Sequence, residues 1–395
     1  MLTVTDPVKS ASPKSRMLTL CKAAAAPHAA DVDKSARFPS ETFAVLKRER
    51  LMGLLVPAAL GGPELPLEEV ADLCRILAQH CASSGMIYAM HNIKLHNLVT
   101  GGIDSTWHRE LMKRVVAEQL LLGSATTEAG IGGDLRNSIC AVERDGETFS
   151  LTKDATVISY ARDCDAIFAT ARRNASAASS DQVMVALMKD QYELTQTHAW
   201  DTLGMRGTCS EGFILKGSAN AAQIFPQPFA ELAAQSMLAS AHILWSSVWF
   251  GIAQDALGRA QAMIRAEARR RPDVKPPAAT PLADAGIKLH QLRAVISDAL
   301  ERFRRVASDA DALGSIGFSM AMNNLKVTTS RLASEVVLEA LRIAGIQGYR
   351  NDSPYSVGRH LRDVLSAPLM IANDRVISNL SSSVLVSKFD SSLVE

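Results

Sequence analysis

The chain is expected to be mainly helical with a small β domain set in its middle. Three observations predict this. Apolar residues recur at helical spacing from Phe38 to about Leu122. The period then shortens to an alternation of apolar and polar residues from about Gly123 to Phe225. From about Pro228 the helical period returns in long stretches, with no proline between Ala230 and Arg271 or between Leu282 and Ser353. The corresponding divisions are a loose lead-in over residues 1–30, an N-terminal helical domain over 31–122, a middle β domain over 123–227 and a C-terminal helical bundle over 228–395.

The lead-in, MLTVTDPVKSASPKSRMLTL, is polar and proline-containing, and it lacks the long apolar core of a secretory signal. In the first helical region LEEVADLCRILAQHC places Val70, Leu73, Leu77 and Ala78 at three- and four-residue steps. The segment LLVPAALGGPELP before it, with three prolines and paired glycines, is a loop. In the middle region Asp145-Gly146 lies between two alternating runs and predicts a hairpin turn. QVMVALM and EGFILKG are further strands, and RRNASAASSD is a surface loop. The two proline-free stretches of the last region flank the loop RRPDVKPPAATP, the pattern of an antiparallel bundle.

Composition narrows the function classes. The 395 residues include 42 basic and 41 acidic side chains, a net charge of +1, which argues against a nucleic-acid partner. No uncharged apolar run is long enough to predict a membrane span, and Ala239 to Ala253, the nearest candidate, suits a buried core helix. Six cysteines, at 21, 74, 81, 140, 164 and 209, form no C-x-x-C pair and no zinc-like spacing with histidine. No metal site is expected, and scattered reduced thiols suit a cytoplasmic protein.

The most informative segment is Thr127-Glu128-Ala129-Gly130-Ile131-Gly132-Gly133-Asp134. A glycine-rich loop lets backbone approach a ligand and aim N–H groups at anionic oxygens, although such turns are also common on surfaces. The segment resembles the T-E-P-x-x-G-S-D signature of the acyl-CoA dehydrogenase family. LLVPAALGG resembles that family's G-x-x-V-P-E-x-x-G-G, and KDATVISYARDCDAIFATAR its K-x-W-I-T-N-x-x-x-A-D strand pair. LGMRGTCSEGFI, GIAQDALGRA, LRIAGIQGYR and RHLRD resemble further family motifs in the same order, so the resemblance spans roughly residues 38 to 380.

The resemblance implies an N-terminal helical domain, a β-barrel or sandwich, and a C-terminal four-helix bundle, in a homotetramer or homodimer. It implies FAD, with FMN as the alternative, between the β domain and the bundle. Thr126, Thr127, Gly132 and Gly133 would line the flavin and its pyrophosphate, and Val157 stands where the family has a tryptophan. Ser159 takes the place of a threonine that bonds the flavin ring near its reactive nitrogen. Gly345, Gln347 and Gly348 would approach the dinucleotide from a partner subunit, and Arg269 or Arg270 would replace the arginine of R-x-x-F-G. Each of these residues also has a purely structural reading, as a strand residue or a helix-capping turn.

The resemblance also implies an acyl-thioester substrate, dehydrogenated by a glutamate base and hydride transfer to flavin. Both customary glutamate positions lack an acid: one falls on Ile371, the other on Ala241 beside His242. His242 and Asp374 are the candidate substitutes; their structural alternatives are a core histidine for the first, and an Arg375 partner or a helix N-cap for the second. Three functions follow: a thioester dehydrogenase with a relocated base and an electron acceptor; a monooxygenase using O2 and reduced flavin from a reductase; or a non-catalytic ligand-binding member.

Overall fold

The computed structural model describes residues 11–388. Six helices precede the first strand: α1 (Pro13–Leu20), α2 (Ala26–Ser35), α3 (Ser40–Arg48), α4 (Leu67–His80), α5 (Ala82–Gly102) and α6 (Thr106–Glu118). Seven strands follow, β1 (Leu122–Ala125), β2 (Glu143–Asp145), β3 (Thr148–Ala155), β4 (Ala166–Arg172), β5 (Gln182–Met188), β6 (Tyr192–His198) and β7 (Gly212–Asn220). The chain then returns to helix: α7 (Phe229–Leu232), α8 (Leu238–Arg270), α9 (Ala279–Val306), α10 (Ala310–Leu313), α11 (Ile316–Tyr349), α12 (Gly358–Val364) and α13 (Asn373–Ser383).

The lead-in expected over 1–30 is helical from Pro13 onward; residues 1–10 lie outside the described residues. Ser12 caps α1 by accepting from the Ser15 N–H at 3.2 Å, and Pro13 occupies a first-turn position where its missing N–H costs nothing. Met17, Leu20, Cys21, Ala25 and Ala29 are buried, and α1 packs against α3 and α4. Small alanines and two prolines hide the helical stretch over residues 13–30, because burial of alanine leaves no strong apolar stripe. A π-turn at Cys21–Ala25 joins α1 to α2.

The strands form two sheets, β1-β4-β5 and β2-β3-β7-β6. β3 alternates buried and exposed residues, as a half-covered strand must, whereas β4 is almost wholly buried and β5 wholly so. The three-stranded sheet is therefore the inner one, with α5 against β1 and α7 against β5. The sheets meet at Gly217, where a Cβ would come within 2.5 Å of Leu187. The hairpin turns at Gly146 with φ 59°, between β2 and β3.

In the last region α8, α9 and α11 pack mutually, and α8 also rests on α4 and α5. The helical segment Phe229–Arg270 is long and apolar enough to cross a membrane by composition, and 78% of its most apolar window is buried in the protein. Its apolarity is that of a core helix. All six cysteines are free thiols.

Candidate functional site

The glycine-rich loop leaves the end of β1 and is fastened at its root. Thr127 Oγ1 donates to the Val157 carbonyl at 2.9 Å and lies 3.4 Å from the Val157 N–H, so these two expected residues hold each other. Thr126 is half-buried and its carbonyl lies 3.5 Å from Thr170 Oγ1. Glu128 turns inward: its carboxylate accepts from Cys140 N at 2.6 Å, Ser138 Oγ at 2.7 Å, Lys153 Nζ at 2.9 Å and Ile139 N at 3.1 Å. Burial alone would raise its pKa, but Lys153 and these donors outweigh burial and hold it below the ordinary range. Gly130, Gly132 and Gly133 have φ of 86°, 58° and 74° and bring bare backbone to the surface. The Arg375 guanidinium, from the first turn of α13, donates to the carbonyls of Gly132 and Gly133, the latter at 2.5 Å. This places a cation on the loop expected to hold a phosphate.

Ser159 belongs to a segment tied to the β6–β7 connection. Ile158 N donates to Glu211 O at 2.9 Å and Tyr160 N to Thr208 O at 2.8 Å. Ser159 Oγ lies 2.8 Å from Ser210 Oγ. That connection is in turn locked to α12: Met205 N donates to Asp363 Oδ1 at 2.7 Å, the Arg362 guanidinium donates to the Leu203 carbonyl at 3.0 Å, and a Cβ on Gly204 would strike the Arg362 carbonyl at 2.1 Å.

The helical side of the site is built on α8 and α11. His242 is buried, and its Nδ1–H donates to the Met322 carbonyl at 2.9 Å, which leaves Nε2 as the lone-pair nitrogen. Burial lowers its pKa to about 4, so it is a neutral but weak base at pH 7. Trp245 packs beside it, ring centres 6.1 Å apart. The indole N–H groups of Trp245 and Trp249 are buried and find no acceptor among the described residues. Unpaired buried donors are uncommon and call for a bound group or water.

The position where a glutamate base is customary holds Ile371, whose φ is 52°, a costly conformation for a β-branched residue. Lys326, fully buried on α11, pins it: Nζ donates to the Ile371 carbonyl at 2.5 Å and to Asn373 Oδ1 at 2.7 Å, and lies 6.0 Å above the Trp249 ring. Burial lowers the Lys326 pKa to about 8. The backbone here is thus held by a lysine. Ala241, at the other customary position, is buried. Asp374 is exposed inside the first turn of α13; Ala372, not Asp374, is the N-cap, and Arg375 bonds to the glycine loop.

Comparison with known proteins matches this architecture. The N-terminal domain model of acyl-CoA dehydrogenases covers residues 14–106, and their C-terminal domain model covers 232–371. The chain belongs to the acyl-CoA dehydrogenase family. Among family relatives, the amino sugar nitrososynthase DnmZ of Streptomyces peucetius is 25% identical over 86% of this chain and 84% of its own length. Cyclohex-1-ene-1-carbonyl-CoA dehydrogenase of Geobacter metallireducens is also 25% identical, over 86% of this chain and 87% of its own. The structure of dibenzothiophene monooxygenase (TdsC) from Paenibacillus sp. A11-2 shares the fold with a TM-score of 0.79 at 17% identity, covering 95% of this chain and 97% of that one.

Within the family frame the expected residues divide into two groups. Thr126, Thr127, Gly132, Gly133, Val157 and Ser159 lie on the β side, joined to the C-terminal helices through Arg375 and Asp363. Gly345, Gln347 and Arg269 lie on exposed helix ends. Gly345 breaks α11 with φ 54°, Gln347 Oε1 accepts from Ser353 Oγ at 3.2 Å, and buried Gly348 accepts from Val357 N at 2.9 Å. Two surface clefts, of about 530 Å³ beside Trp107 and Lys189 and about 410 Å³ beside Glu231 and Asp311, include none of these residues. Sequence reasoning missed Lys326, and it read Arg375 only as a partner for Asp374, not as the cation on the glycine loop. Lys326 had a signal, a lone cation on the apolar face of GFSMAMNNLKVTTSRLA; Arg375 had none beyond its place beside Asp374.

Proposed function

We propose that this protein is a flavin-dependent monooxygenase, binding FMN or FAD and oxygenating a small substrate, with amines the first class to test. The vacated base position carries the reading. Proton abstraction next to a thioester needs a group of suitable basicity within hydrogen-bond reach, and here Ile371 and Ala241 offer none while His242 is held neutral and weakly basic. Reduced flavin, when bound, supplies the electrons that activate dioxygen. Thr126, Thr127, Val157 and Ser159 would flank its ring, Gly132 and Gly133 with Arg375 its phosphate. His242 Nε2 and the unpaired N–H groups of Trp245 and Trp249 would face the substrate. The nitrososynthase relatives support nitrogen as the atom oxygenated. The thioester-dehydrogenase reading keeps the support of the Geobacter relative but needs a base from outside these positions. The exposed residues after Gly345 support a homo-oligomer.

Anaerobic titration decides between the two. Protein loaded with FMN or FAD should keep its blue absorption band when a panel of acyl-CoAs is added, and should oxygenate an amine when given a flavin reductase, NADH and O2. Bleaching of the band by any acyl-CoA would overturn the proposal.

A further inference from the structure

Three hydroxyls stand in single file from the interior to the half-buried surface of the 157–160 segment. Thr208 Oγ1 donates to the Met205 carbonyl at 2.9 Å, Thr208 Oγ1 and Ser210 Oγ are 2.8 Å apart, and so are Ser210 Oγ and Ser159 Oγ. Thr208 and Ser210 are buried; Ser159 is half-buried. A hydroxyl has one proton to donate and two lone pairs, whereas a carbonyl only accepts. With the Thr208 proton on Met205 O, Thr208 receives from Ser210 and Ser210 from Ser159. Every contact is then a hydrogen bond, and Ser159 turns its proton inward and its lone pairs outward. The reverse order gives up the Thr208–Met205 bond and leaves the Ser159 proton outside with no acceptor among the described residues. The inward order thus holds one more internal hydrogen bond. Met205 and Cys209, with φ of 52° and 45°, flank Thr208 in left-handed backbone, and the ties to Asp363 and Tyr160 keep the segment in place.

We propose that Thr208 and Ser210 make Ser159 a hydrogen-bond acceptor toward its ligand and thereby select the reduced flavin ring over the oxidised one. The inference rests on the flavin reading above, in which Ser159 lies beside the redox-active ring nitrogen. Reduction places a proton on that nitrogen and turns an acceptor into a donor. The reduced ring meets Ser159 as donor to acceptor. The oxidised ring meets it lone pair to lone pair, or forces the file to reverse. Thr208 and Ser210 act through Ser159 and are positioning residues. An enzyme supplied with reduced flavin by a separate reductase would hold the working form and release the spent one.

Dissociation constants of FMN and FAD, each oxidised and each reduced under anaerobic conditions, test this on the full-length chain. The wild type should favour reduced flavin by roughly tenfold, about one net hydrogen bond. Ser210→Ala cuts the file next to Ser159 and frees its proton, so the preference should fall toward parity, chiefly through tighter binding of oxidised flavin. Thr208→Val cuts it one step deeper with the same expected direction, and covers the case in which Ser210→Ala fails to fold. The potential of the bound flavin is an independent readout: a tenfold loss of preference lowers it by about 30 mV for two electrons. Equal affinities in the wild type, or a preference and potential unmoved in a folded variant, would overturn the selection mechanism and leave the flavin reading standing. Failure to bind either form would overturn both.

Discussion

Glu128 occupies the second position of the motif that first marked this chain, yet its four contacts all run to the protein. Two backbone N–H groups, Ser138 and the buried Lys153 occupy both of its oxygens. Removing one partner of a buried ion pair leaves the other charge uncompensated, at about 3–5 kcal/mol. Glu128→Ala should therefore destabilise the protein by that amount in urea unfolding, and Glu128→Ala with Lys153→Met should recover part of it. A cost below about 1 kcal/mol would show that water reaches Lys153. The motif's glutamate thus shapes the glycine loop, and the loop's own carbonyls and Arg375 are what face outward. Ile371 carries the opposite lesson. Its identity was legible as a missing acid, but the buried lysine holding its carbonyl was not, because Lys326 and Ile371 are brought together only by the packing of α11 against the α12–α13 turn.

At the scale of elements, the connection from Met205 to Ser210 is governed by α12. The R-H-L-R-D run was readable as a motif, but its task was not, since Asp363 meets Met205 across 158 residues of chain. Burial raises the Asp363 pKa to about 6, partly offset by the Met205 N–H and nearby arginines. An unfolded aspartate titrates near 3.9. Between about pH 4 and 6 the folded state therefore binds the more protons, and this group's contribution to stability is present below pH 4 and lost as pH rises through 6. Asp363→Asn keeps an acceptor for Met205 N and never ionises. Its stability relative to wild type should improve by about 2–3 kcal/mol between pH 4 and pH 7, seen as diverging urea midpoints. Parallel pH profiles for the two proteins would mean that Asp363 is not the buried titrating group.

Across the whole molecule, periodicity revealed the order of helices, strands and helices because each face is buried on one side at a regular step. It failed over residues 13–30, where alanines pack without an apolar stripe, and it could not show that β4 and β5 form the inner sheet. The outer surface raises the remaining question of assembly. Gly345 breaks α11, and the last turn beyond it leaves Ile346 at 67% and Tyr349 at 73% exposure. These two exposed apolar side chains on one helix end are where the proposed homo-oligomer would place a partner subunit. The proposed homo-oligomer predicts that light scattering at micromolar concentration gives a multiple of the single-chain mass. Ile346→Asp with Tyr349→Asp should shift that mass downward while circular dichroism stays unchanged, since neither side chain is part of the core. A single-chain mass for the wild type would instead make this turn an ordinary exposed helix end, and any flavin contact through Gly345 and Gln347 would then have to come from within the same chain.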